Sequence, residues 1–152
     1  MHDPHSDYTT KDSPWPVAAT VERLTGLIAE RGMTIFTTID QRAAARTIGL
    51  ELRETVLIIF GSPAAGTPVM DTEPLAALDL PLKLLVWDDH GHTRVSYLTP
   101  AVLAARHALS ESLAAPLAGI DKLTDGALAD GAGDHVAGSA PASTYPSHQE
   151  TT

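Results

Sequence analysis

Leu82-Lys83-Leu84-Leu85-Val86-Trp87-Asp88-Asp89-His90-Gly91-His92-Thr93-Arg94-Val95-Ser96-Tyr97 is the stretch that decides the fold. Residues 82–87 form an apolar, β-prone run, residues 93–97 form its return, and Asp, His and Gly lie between them. That is hairpin chemistry, and a hairpin commits the sheet to antiparallel pairing. In the first strand Leu82, Leu84 and Val86 share one face, with Lys83, Leu85 and Trp87 on the other, because side chains alternate along a strand.

Working outward, residues 33–39 (MTIFTTI) and 55–60 (TVLIIF) read as two further strands. The second is apolar throughout, which predicts burial on both faces or against a partner chain. Val17, Val21, Leu24, Leu27 and Ile28 recur at helical spacing, and Gly32 closes that helix. Asp40 caps a short helix running to Ile48 and Gly49. Residues 61–68 (GSPAAGTP) read as a loop, and residues 73–78 as a short helical segment. Thr99-Pro100 opens a helix with Val102, Leu103 and Leu109 on its apolar face. A last short helix is expected from about Pro116 to Leu123. This order is not a regular βαβ alternation. It predicts an α+β fold, a small two-layer sandwich with a mainly antiparallel sheet and helices on one face.

The ends differ from the middle. Residues 1–14 show no apolar pattern. Residues 125–152 are rich in Gly, Ala, Ser and Pro, and their charges are Asp125, Asp130, Asp134 and Glu150. Both are expected to be disordered, solubilising tails around one domain over residues 15–124.

The chain has 152 residues and a formal net charge of −9, which argues against a nucleic-acid partner. It has no cysteine, so disulfides, thiol catalysis and iron–sulfur clusters are excluded. No apolar run is long enough to cross a bilayer, and Met1 to His5 lack the pattern of a secretory leader. The expectation is a cytoplasmic protein with no membrane partner.

Three stretches carry a resemblance. They are Leu57-Ile58-Ile59-Phe60-Gly61-Ser62-Pro63 with Gly66-Thr67-Pro68-Val69-Met70, then Leu78-Asp79-Leu80-Pro81-Leu82-Lys83, then Tyr97-Leu98-Thr99-Pro100 leading to Arg106-His107. Together, over about residues 17–124, the chain resembles the domain of unknown function 302 family. The resemblance implies a compact α+β domain and a homodimer, and no known activity. It implies a first strand ahead of the first helix, for which Tyr8 to Lys11 is a weak candidate. Gln41 and Ser62 stand where members commonly have His and Asn.

Several residues could carry chemistry. Residues 61–67 follow a strand with Gly-x-x-x-x-Gly-Thr spacing, but no Lys precedes Thr67 and Pro63 removes a backbone donor. That makes a rigid turn a simpler reading than a nucleotide site. Lys83 is a cation on an otherwise apolar strand face. It is either a stem with its charge in solvent, an ion-pair partner of a carboxylate such as Asp79, or a cation facing a ligand cavity. His90 and His92 sit at a hairpin tip, where a weak surface site for zinc, nickel or copper can be drawn but no third ligand is fixed; no functional metal is expected. Arg106 and His107, singled out by the resemblance, lie late in a helix. There both serve as C-terminal cations, or His107 serves as an acid/base or, with Met70, as a ligand to a haem. A Ser62–His107–Asp79 hydrolase constellation lacks any Gly-x-Ser-x-Gly elbow.

The expected function is binding of an unidentified small molecule or cofactor by a homodimer. Its pocket is built from Gly61, Ser62, Gly66, Thr67, Met70, Lys83, Arg106 and His107. The alternatives are an enzyme using His107 and Lys83 for proton transfer, or a purely structural interaction protein.

Overall fold

A computed structural model describes residues 1–129. Its strands are β1 (Tyr8–Ser13), β2 (Thr34–Asp40), β3 (Thr55–Gly61), β4 (Leu82–Asp89) and β5 (His92–Leu98). They form one sheet in the order β1-β5-β4-β3-β2, with every neighbouring pair antiparallel. The helices are α1 (Val17–Glu30), α2 (Gln41–Arg46), α3 (Pro63–Thr72), α4 (Pro100–Arg106), α5 (Glu111–Ala114) and α6 (Gly119–Leu128), with 3₁₀ turns at Pro4–Asp7, Pro74–Leu78 and Ala115–Ala118. This is the α+β architecture expected from the hairpin.

The hairpin itself turns on His90 and Gly91, with φ of 51° and 92°. Two consecutive positive φ values match the right-handed twist of the flanking strands, and Gly91 takes the more demanding one without a Cβ penalty.

One sheet face is sealed. Ile58 and Phe60 of β3, Leu84 and Val86 of β4, and Val95 and Tyr97 of β5 pack against Leu24 and Ile28 of α1 and Leu123 and Ala127 of α6. The spacing of Val17, Thr20, Leu24 and Ile28 explains how α1 lies down: they form one stripe, and all four are buried. A second cluster of Val69, Ala76, Leu80, Leu103 and Leu117 gathers α3, α4 and the 3₁₀ turns at the end of the sheet marked by Leu82 and Leu98. The other sheet face carries Leu57 and Ile59, Leu85 and Trp87, and Leu98, all only partly buried. β3 is thus not buried on both faces. Its apolar run divides into a core set and a half-exposed set.

Residues 1–14, read as a disordered tail, contain a 3₁₀ turn and the edge strand β1, which pairs with β5 from Tyr8↔Leu98 to Ser13↔Thr93. The inward side chains of β1 are polar and are held by hydrogen bonds. Thr9 Oγ1 meets Thr99 Oγ1 at 2.8 Å, and Ser13 Oγ meets Thr20 Oγ1 at 2.6 Å. Lys11 Nζ donates to Thr124 Oγ1 and Asp125 Oδ1 at 2.7 Å each, and to the Asp121 carbonyl at 3.0 Å. Partial burial opposes the Lys11 charge, but hydrogen bonding and charge interaction with Asp125 and the Tyr97 hydroxyl outweigh it and raise the pKa.

Two further boundaries move. The segment read as the loop 61–68 is the end of β3 followed by α3. Ser62 Oγ accepts from the Ala65 N–H at 3.4 Å as N-cap and Pro63 takes the first turn, so the helix starts despite Gly66 and an interior Pro68. Residues 125–128 belong to α6 rather than to a tail; residues 130–152 lie outside the described residues.

Candidate functional site

The half-exposed sheet face forms the floor of a groove of about 650 Å³. Leu57 on β3, Leu85 and Trp87 on β4, and Leu98 on β5 supply apolar surface. These positions lie in adjacent strands because β4 sits between β3 and β5, with Leu57↔Leu85 and Leu85↔Ser96 in register. The Trp87 indole N–H donates to Ser96 Oγ at 3.0 Å, and that hydroxyl also meets Thr10 Oγ1 at 2.8 Å. The indole therefore has its polar atom satisfied and adds apolar area to the groove.

The end of the groove nearest Leu82 is charged. Lys83, Asp79 and Arg106 line it. Asp79 accepts from Arg106 Nη1 at 3.1 and 3.2 Å, and its Oδ2 lies 2.6 Å from His107 Nε2. Partial burial raises the cost of the Asp79 charge. The hydrogen bonds and charges of His107 and Arg106 more than offset it and hold the carboxyl below the usual carboxylate range. Asp7 Oδ2 lies 3.9 Å from Arg106 Nη2, so the guanidinium is shared between two carboxylates. Lys83 differs. Its Nζ donates to the Pro81 carbonyl at 3.0 Å, and no carboxylate lies within 4.0 Å among the described residues. The Lys83–Asp79 pair, one of the readings offered for Lys83, is absent; Asp79 is bonded to Arg106 and His107 instead.

A second, almost wholly apolar cleft of about 260 Å³ lies on the other side of residues 80–82. Gly61, Ser62, Gly66 and Met70 line it with Met33 and Phe36. A Cβ on Gly61 would meet Pro81 Cβ at 3.7 Å, and one on Gly66 would meet the Met70 methyl at 3.7 Å, ordinary contacts in both cases. Neither glycine is demanded by its backbone conformation or by a close neighbour. Leu82 borders both cavities.

The eight sequence-derived candidates therefore divide. Lys83 and Arg106 line the groove; Gly61, Ser62, Gly66 and Met70 line the cleft; Thr67 is exposed and lines neither. His107 is the C-terminal cap residue of α4 and lines neither cavity; it sits behind Asp79, its side chain 12% exposed. Ser62 Oγ is a helix cap and does not bond His107, so no Ser–His–Asp relay exists among the described residues. Nor do the residues fit a haem: His107 Nε2 is taken by Asp79, and Met70 lines the apolar cleft, which His107 does not reach. His90 Nδ1 bonds Asp89 at 3.0 Å, and no group of three His, Cys, Asp or Glu side chains among the described residues could hold a metal ion. Asp79, Leu85 and Trp87 are groove residues that the candidate set missed. For Leu85 and Trp87 the signal was present, since alternation places both on the face of Lys83.

A five-stranded antiparallel sheet with helices sealing one face and a groove with charged groups at one end on the other defines a small α+β domain. The chain belongs to the family described as Domain of unknown function DUF302, which it matches over residues 9–127. Its fold is similar to that of an uncharacterized conserved DUF302 protein from Bacillus stearothermophilus, with a TM-score of 0.68 at 22% identity, covering 80% of this chain and 95% of that one. Curated relatives include Fluoride-specific ion channel FluC 1 of Brucella suis biovar 1, 41% identical over 108 residues, which are 70% of this chain and 42% of that protein. Fluoride-specific ion channel FluC 2 of Brucella melitensis biotype 1 matches at the same identity over 40% of its length. The chain thus spans about two fifths of the curated relatives it matches. Among the described residues no helix is long and apolar enough to cross a membrane.

Proposed function

We propose that this domain binds a small molecule in the groove on the half-exposed sheet face, and that it does so as a homodimer. The observation that carries the binding reading is the groove itself: about 650 Å³, apolar along its floor, with convergent charged groups at one end. That combination of size, apolar lining and few polar groups is the usual make-up of a small-molecule site. The cleft beside α3 is a smaller annex to it across Leu82.

An enzyme working through His107 and Lys83 has less support. Proton transfer requires the two groups and a carboxylate around one reacting atom. Here His107 stands behind Asp79, and Lys83 donates to the Pro81 carbonyl.

Native mass spectrometry of gently purified protein, with an absorption spectrum on the same sample, tests the reading. Extra mass is expected on the unsubstituted chain and not on Leu85→Glu, which places a charge in the groove floor. A clean mass for both chains counts against it.

The 41% identity with part of two Brucella fluoride-channel proteins favours a second reading, in which the domain works beside a channel of that kind. Greater fluoride sensitivity in cells lacking the chain supports it, and unchanged sensitivity removes it.

A further inference from the structure

The geometry points to the class of ligand: an elongated apolar monocarboxylate, its head on Lys83 and its body laid along β4 to Trp87. This rests on the groove reading above and deepens it.

The charge of the head follows from what is already neutralised. Of the two cations lining the groove, Arg106 is occupied by Asp79 through two contacts of 3.1 and 3.2 Å, with Asp7 at 3.9 Å. Lys83 has a backbone carbonyl as its partner and no carboxylate within 4.0 Å among the described residues. Lys83 is thus the lining cation with no such carboxylate, and it stands beside apolar surface. A single negative charge meets it. A neutral head leaves the ammonium without a counter-charge, and a dianionic head would bring surplus charge towards Asp79. The carboxylate accepts charge-assisted hydrogen bonds from Nζ, which are stronger than neutral ones.

The length follows from the strand. Lys83, Leu85 and Trp87 are alternate residues on one face of β4. At about 3.4 Å per residue, Lys83 to Trp87 spans roughly 14 Å, which an extended chain of about 10–12 carbons covers. Leu57 of β3 stands beside Leu85 and walls that path. Trp87 ends it, and beyond Trp87 the strand continues into Asp88 and Asp89, which an apolar tail does not seek.

The test uses a ladder of straight-chain carboxylates from hexanoate to tetradecanoate, below their micellar concentrations, and the matching primary alcohols. Trp87 fluorescence in a Trp15→Phe background reports binding. Affinity is expected to rise with each methylene to about ten or twelve carbons and then level off, and each acid should bind about tenfold more tightly than its alcohol, as expected for one hydrogen bond to a charged group. In Lys83→Met, which keeps the stem and loses the charge, the acid's advantage should disappear while alcohol binding is unchanged. The acid–alcohol comparison needs no variant, so it stands even if Lys83→Met folds poorly. Acid and alcohol binding equally to the unsubstituted chain overturns the head assignment and leaves the groove reading in place. Affinity that climbs through tetradecanoate with no plateau overturns the assignment to the Lys83–Trp87 path. Neither series binding overturns both this inference and the groove reading.

Discussion

Asp79 is the residue on which the charged end of the groove depends. It follows the 3₁₀ turn Pro74–Leu78, while Arg106 and His107 close α4, so its contacts join segments 27 and 28 residues apart in sequence. The Arg106 guanidinium and the His107 ring converge on a carboxylate whose side chain is 22% exposed. Asp79→Asn should therefore cost about 1–2 kcal/mol at pH 7, a value for charge-assisted hydrogen bonds reduced for partial exposure. The pH dependence has a definite sign. A carboxyl with a lowered pKa contributes stability that is present above its unfolded value and lost as pH falls through the folded value. Urea unfolding from pH 7 to pH 2.5 should show the gap between the two proteins shrinking in acid. A gap that stays constant would mean that Asp79 acts by packing and not by charge. Arg106 should be less mobile in the unsubstituted chain than Lys83, because only Arg106 is tied to carboxylates.

At the scale of elements, β1 is the instructive case. It is an edge strand whose inward positions are Thr9, Lys11 and Ser13, so nothing apolar fastens it to α6 or α1. Lys11 ties it to α6 through three hydrogen bonds, and Ser13 ties it to α1 through Thr20. Lys11→Met is expected to speed hydrogen exchange of the β1 amides about tenfold or more and to leave β3 and β4 unchanged, since the loss is local and hydrogen bonds to charge are worth that much. Exchange that accelerates equally across the sheet would show β1 to be part of the global unfolding unit. The same polar pattern explains why β1 reads as a tail. Hydrophobic periodicity is the main signal of a strand, and this strand lacks it. The hairpin, α1 and the cap of α2 were legible because alternation, a 3–4 spacing and an Asp cap each have one local meaning; Asp40 does accept from the Ala43 N–H, at 2.9 Å. In α3 two local signals compete. Gly66 and Pro68 argue for a loop, Ser62-Pro63 for a helix start, and packing of Val69 into the second cluster decides it. The candidate site was legible where it lies on one strand, as with Lys83. It was not where partners come from distant segments, as with Asp79 and His107.

At the scale of the whole molecule, the proposed homodimer has to form without closing the groove. Large apolar side chains are exposed elsewhere: Phe36 on the edge strand β2, at 53%, and Ile48, Leu50 and Leu52 between α2 and β3. The register of β2 against β3 shifts between Ile35 and Thr37, which leaves Phe36 as an extra residue. A bulge of that kind spoils the edge for strand-to-strand pairing but projects its side chain outward. Association through Phe36 and its apolar neighbours would thus rest on side chains, and each copy would keep an open groove. Each copy also carries a formal charge of −9, so two copies repel at low ionic strength, and salt screens that repulsion. Sedimentation velocity should therefore show a dimer at micromolar concentration that tightens between 20 and 300 mM salt, at roughly the range where the Debye length drops below about 10 Å. Phe36→Asp should leave a folded monomer, and dodecanoate should leave the dimer of the unsubstituted chain intact. If dodecanoate instead dissociates the dimer, the half-exposed sheet face is itself the interface, and ligand and partner compete for Leu57, Leu85 and Trp87. A concentration-independent monomer at every salt would remove the dimer and leave the groove as a property of the single chain.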